Sequence, residues 1–99
     1  MNYREYLNSP DWQETRRRTW DERRHLCSVC RKQGVPLDVH HLSYRRVGYE
    51  LSEDLTLVCR ECHDGIHELA RRNPHWNIRR VTNRYRRNIY DTRPPSGPA

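Results

Sequence analysis

With 99 residues, 33% of them hydrophobic and no Phe, the chain has room for one small domain and little apolar surface from which to build a core. Its net charge is +6, and eighteen of the nineteen basic residues are Arg; this points to a phosphate-bearing polyanion as partner, because the guanidinium fork grips phosphate better than an ammonium does. No apolar run has membrane-spanning length and no secretory leader is evident, so a membrane partner is not expected and a reducing cytoplasm is.

Tyr3 to Asn8 reads as a short lead-in that docks Tyr3, Tyr6 and Leu7 on the domain. Ser9-Pro10-Asp11 is a helix start, with Ser at the N-cap, Pro at the first helical position and an acid facing the positive end of the dipole. The pattern predicts a helix over about 9–24. Trp12, Arg16, Trp20 and Arg24 share an i, i+4 row, which sends both Trp to the core and leaves Arg17 and Arg18 elsewhere on the cylinder as candidate phosphate contacts.

Cys27-x-x-Cys30 and Cys59-x-x-Cys62 are separated by 28 residues. Four thiolates so paired suit one tetrahedral zinc, a staple that a small core needs; two disulfides would require an oxidising compartment. After the first pair, Leu37 to Leu42 alternates, with Leu37, Val39 and His41 on one face and Asp38, His40 and Leu42 on the other, as a strand requires. The neighbours His40 and His41 therefore point to opposite sides, and one can bind a metal while the other does something else.

Ser43 to Asp54 is a polar loop containing Arg45 and Arg46, and Leu55 to Val58 returns as a second strand. A helix from Cys62 or His63 to Arg72 offers Ile66, Leu69 and Ala70 for packing and sets His63 and His67 on one face, where they can share an ion with a strand histidine. Asn73-Pro74 breaks it. Over about 75–90, Trp76 or Ile78, Val81, Tyr85 and Ile89 recur at helical spacing, while Arg79, Arg80, Arg84, Arg86 and Arg87 fill the other positions, which predicts a basic amphipathic helix. Residues 94–99 have too little to bury and are expected to be disordered.

Between Asp38 and His67 the chain resembles the HNH endonucleases, also called ββα-metal or His-Me finger nucleases. Their signature is a His pair or Asp-His on a first strand, a loop with an Asn, a second strand, and a helix with the last histidines. The His40-His41 pair followed by His63-x-x-x-His67 is most similar to the arrangement in the nuclease colicins, and the two C-x-x-C pairs to the zinc-stapled branch of the family. The resemblance covers roughly residues 25–70. It implies an α+β fold: a single nuclease domain over 1–93 with a ββα-metal core at about 35–72, flanked by the N-terminal helix and the basic C-terminal one.

The same resemblance implies that His41 is the general base, that His40, His63 and His67 hold one divalent catalytic ion, and that Asp54 stands where the family has its Asn. That ion would be Mg²⁺ or Mn²⁺, with Zn²⁺ or Ni²⁺ as alternatives, beside a structural Zn²⁺ on Cys27, Cys30, Cys59 and Cys62. Tyr44 replaces the Pro often found after the histidine pair, and a carboxylate at Asp54 can still accept a backbone N–H but loses the amide's donors, or instead joins the metal shell. Asp38 is placed to buttress a ligand imidazole.

The implied activity is nicking of DNA by a His-activated water and one metal, in the cytoplasm of a bacterium or phage-infected host. DNA is expected to be held mainly through its phosphates by Arg45, Arg46, Arg17, Arg18, Arg79, Arg80, Arg84 and Arg87. Whether the chain works alone, as a homodimer or in a phage or restriction assembly stays open, as do RNA as substrate and the cut sequence. The alternative is a non-catalytic zinc-ribbon module that binds nucleic acid. An ordinary zinc finger built from Cys27, Cys30, His63 and His67 fails on spacing, since 32 residues separate the pairs where about twelve are needed.

Overall fold

A computed structural model describes residues 2–92 of the chain; the tail expected to be disordered lies outside them. The elements are α1 (Tyr3–Leu7), α2 (Pro10–Glu22), β1 (Leu37–His41), β2 (Leu55–Cys59), α3 (Arg60–Arg72) and α4 (Ile78–Thr92), with a 3-10 turn at Ser52–Asp54 before β2. The class is α+β, a two-stranded antiparallel sheet flanked by helices. Register pairs Leu37 with Cys59 and His41 with Leu55.

The lead-in is a helix. Asn2 caps it by accepting the Glu5 amide, and Tyr6 is buried on its inner face. In α2, Ser9 accepts the Trp12 amide and Pro10 fills the first position, as the sequence predicts. The helix stops at Glu22, short of Arg24, because Arg23 turns extended and its guanidinium donates to the carbonyls of Ser52 and Leu55 at the start of β2. The early stop changes the fate of one Trp. Trp12 is buried, but Trp20 is 40% exposed and stacks on His25, which the chain folds back just past the helix end.

Two apolar clusters hold the elements together. The smaller joins Tyr6, Trp12 and Leu55, so α1 and α2 cover one face of the sheet. The larger gathers the cysteines with Val29, Val58, Ile66 and Val81, and Tyr85 and Ile89 of α4 pack against it. The spacing read from α4 is therefore the face that it buries. At Gly65 the helices α3 and α4 approach so closely that a Cβ would lie 2.5 Å from the Tyr85 ring. Asn73 caps the end of α3, Pro74 prevents its continuation, and Asn77 opens α4 by accepting the Arg80 amide.

Candidate metal centre and active site

Cys27, Cys30, Cys59 and Cys62 converge, their sulfurs all within 4.8 Å of one another. Cys30 and Cys59 Sγ are 3.8 Å apart, far beyond an S–S bond and close to the edge of about 3.8 Å that a tetrahedron of zinc–sulfur bonds would have. The Cys30 amide donates to Cys27 Sγ and the Cys62 amide to Cys59 Sγ, the same contact in each C-x-x-C turn. Burial opposes ionisation of Cys27, yet backbone N–H groups, first that of Cys30, outweigh it and bring the thiol down to about 7. The four residues fit a closed zinc site.

The second cluster is His40, His63 and His67, with their ring nitrogens within 4.8 Å of one another. Their protonation can be reasoned out bond by bond. Thr82 of α4 gives its hydroxyl hydrogen to the Ile78 carbonyl, so at 2.9 Å from His40 Nε2 it can only accept, and Nε2 carries the proton. His40 Nδ1 is then a bare lone pair, buried and without a hydrogen-bond partner. Asp38 is forked by Arg60, which holds its carboxyl below the ordinary range despite burial. The anionic Asp38 accepts from His63 Nδ1 at 3.1 Å, which leaves His63 Nε2 bare, 3.2 Å from His67 Nε2.

Lone pairs facing one another at that distance repel unless a proton or cation lies between them. Burial, with His63 and His67 alongside, pushes His40 down to about 3, and burial together with His63 lowers His67. Three imidazoles whose ring nitrogens converge, with Thr82 bonded to the far nitrogen of His40 and Asp38 to that of His63, fit a divalent ion. Asp38 lies against the far nitrogen of His63 and Thr82 against that of His40, the latter a contact the sequence did not indicate.

His41 points the other way from the strand. Its ring is nearly buried, stacked on Trp12 at 4.9 Å and Tyr44 at 5.4 Å. Its Nε2 meets Glu50 Oε2 at 2.7 Å, and Glu50 Oε1 accepts from the Tyr6 hydroxyl at 2.6 Å. Burial resists ionisation of Glu50, but the Tyr6 and His41 hydrogen bonds win and its pKa is lowered. The carboxylate is thus an acceptor only, His41 donates through Nε2, and Nδ1 is the unprotonated nitrogen, accepting from the Tyr3 hydroxyl at 3.3 Å. Glu50 went unassigned in the sequence. Its only signal there was a carboxylate at the returning end of the loop, and nothing in one dimension announces that Tyr6 waits beside it.

A cleft of about 480 Å³ brings the two systems together, lined by His41, His63, His67, Tyr44, Arg16 and Arg60. Arg16 and Arg60 were not singled out as phosphate contacts; they are the arginines at this rim. Several expected contacts are engaged elsewhere. Arg46 forks Asp54 and also meets Glu53, Arg18 donates to the Glu50 carbonyl, and Arg17 pairs with Glu14 on the same helix. Asp54 is fully buried and outside both ligand clusters. Its oxygens take Arg46 and the Leu51 amide, while its own carbonyl accepts from the Leu42 amide, so it pins the loop rather than joining the metal shell. Arg45 is exposed, and Arg79, Arg80, Arg84 and Arg87 lie along the outer side of α4.

The family model for HNH endonucleases matches residues 27–69, a span that begins at the first cysteine and includes all three ligand-type histidines and His41. No curated protein matches the chain.

Proposed function

We propose, from the match of residues 27–69 to the HNH endonuclease family model, that the chain is a metal-dependent DNA endonuclease that hydrolyses one phosphodiester strand at a time. The observation that supports this most is the buried Glu50–His41 pair opening on the same cleft as the three-histidine cluster.

In this reading His41 Nδ1 takes a proton from water as the oxygen attacks phosphorus. Glu50 fixes the tautomer, holds the ring in place and stabilises the imidazolium that forms, and Tyr6 and the Arg18 contact keep Glu50 from swinging away. Trp12 and Tyr44 flank the ring so that it meets the cleft edge-on. The Tyr3 hydroxyl is a neutral donor beside the same nitrogen, its pKa raised to about 12 by burial and by Tyr44 and Glu50. Arg60, fork-bonded to Asp38 through Nε and Nη2, keeps further N–H groups free for a phosphate oxygen.

A divalent ion held by His40, His63 and His67 would supply positive charge at the phosphoryl and departing 3′ oxygens. Three imidazoles suit Mn²⁺, Zn²⁺ or Ni²⁺ better than Mg²⁺, which prefers oxygen donors.

The test is nicking of supercoiled plasmid with each of these ions. Activity should stop with EDTA and with His41→Ala, and fall by about 10²–10³-fold in Glu50→Gln while DNA binding holds. Undiminished nicking by His41→Ala would remove the base. DNA binding without nicking under every metal would leave the non-catalytic module.

A further inference from the structure

The histidine cleft does not end at its own rim. A second groove shares Tyr44 and His67 with it and runs to Trp76, Asn77 and Arg79; a third continues from those three residues along α4 to Arg80, Arg84 and Arg87. The three are one channel in sequence, linked by side chains common to each neighbour. Among the described residues no Asp or Glu lines the second or third groove, whereas the cleft itself contains Asp38 and Asp64. The charge lining the grooves beyond the cleft is therefore positive, with the buried Asp54 near enough to attract Arg79 from behind.

Two of its arginines are held in position. The Arg80 guanidinium carbon lies over the Trp76 ring, 4.2 Å from its centre, a cation–π contact that holds the group against the helix. Arg79 donates to the Glu53 carbonyl, a neutral acceptor that orients the group without cancelling its charge. From Arg79 to Arg87 the helix advances roughly 12 Å, the length of about three to four nucleotides along a strand. One face of Trp76 is taken by Arg80, and the ring is partly buried against the larger apolar cluster, which leaves less of it open for stacking a base.

We infer that this channel is the track for the phosphate backbone of the substrate strand on one side of the cut, held by Arg79, Arg80, Arg84 and Arg87 without reading its bases. The assignment rests on the proposed nuclease reading of the cleft, but binding along the track does not need catalysis. It also predicts a one-sided substrate: phosphates are gripped where the channel leaves past Tyr44.

The experiment uses the full chain in a His41→Ala background, without divalent ion beyond the structural zinc. Binding to a short labelled DNA duplex and to its RNA counterpart is followed by fluorescence anisotropy across a salt series. Arg80→Ala/Arg84→Ala/Arg87→Ala should weaken binding at least about tenfold and reduce the salt slope by about 2 to 3. A control triple of exposed arginines off the channel, Arg4→Ala/Arg24→Ala/Arg72→Ala, should change the slope far less. Thermal melts confirm that both triples stay folded. Loss on either nucleic acid supports the track and tells which backbone it fits; an unchanged slope, or equal losses from the two triples, overturns it. Plasmid nicking by the chain with His41 intact, assayed separately with divalent ion, that survives while the track fails would leave the nuclease reading standing, and the reverse outcome would leave a binding channel without chemistry.

Discussion

At the scale of single residues, the loop between the strands depends on Asp54. Its carboxylate is fully buried and takes both the Arg46 fork and the Leu51 amide. Arg46 is the main cause that holds its pKa below the ordinary carboxylate range, with burial opposing. Because the folded value is depressed, the stabilisation is complete above the unfolded carboxylate pKa and is lost as pH falls through the folded one. Asp54→Asn should lower stability at neutral pH by about 1–3 kcal/mol, since Arg46 keeps its charge without its partner. Thermal melts from about pH 6 to pH 3 should show the variant losing less on acidification than the parent.

A carboxylate accepting a backbone N–H at this position was legible from the sequence. That Arg46 would be spent on it was not, because an Arg in a polar loop looks the same whether it grips a phosphate or an aspartate eight residues on. Glu50 was hidden for a related reason: its two partners, Tyr6 and His41, come from distant parts of the chain.

At the scale of elements, periodicity served well where helices pack along their length and failed near an end. Val81, Tyr85 and Ile89 recur every four residues and do meet the core. Trp20 obeys the same rule on α2 but lies in the last turn, where the sheet no longer runs beneath it. The pairing of α3 with α4 rests on Gly65, which no periodicity identifies. Gly65→Ala should force the Tyr85 ring aside and cost about 1–3 kcal/mol as an overpacked contact, despite the better helix propensity of Ala. Shortening the ring in Gly65→Ala/Tyr85→Leu should recover part of the lost melting temperature. Since Thr82 is on α4 and backs His40 on β1, the single variant should also weaken binding of a divalent ion at the histidines, measurable by calorimetry.

At the scale of the whole molecule, the larger apolar cluster is built around the four thiols, and Cys27, Cys59 and Cys62 are themselves members of it. A chain without Phe has put four metal-ligand thiols where larger domains put rings. Stripping zinc with a strong chelator, or Cys59→Ser, should therefore abolish the cooperative melt and much of the helical circular dichroism, and re-addition of zinc to the stripped parent should restore both. The C-x-x-C spacing made this much readable, because ligand distance in sequence and in space agree within each tight turn. What joins the two halves of the site does not follow from spacing.

Cys59 closes β2 and caps α3, Cys62 sits one turn later, and the next residue is His63. One turn of helix thus hands over from the sulfur cluster to the imidazoles. A cell starved of zinc yet rich in manganese would hold a chain whose histidines had no fixed place to meet, so supply of the silent ion would license the work of the other.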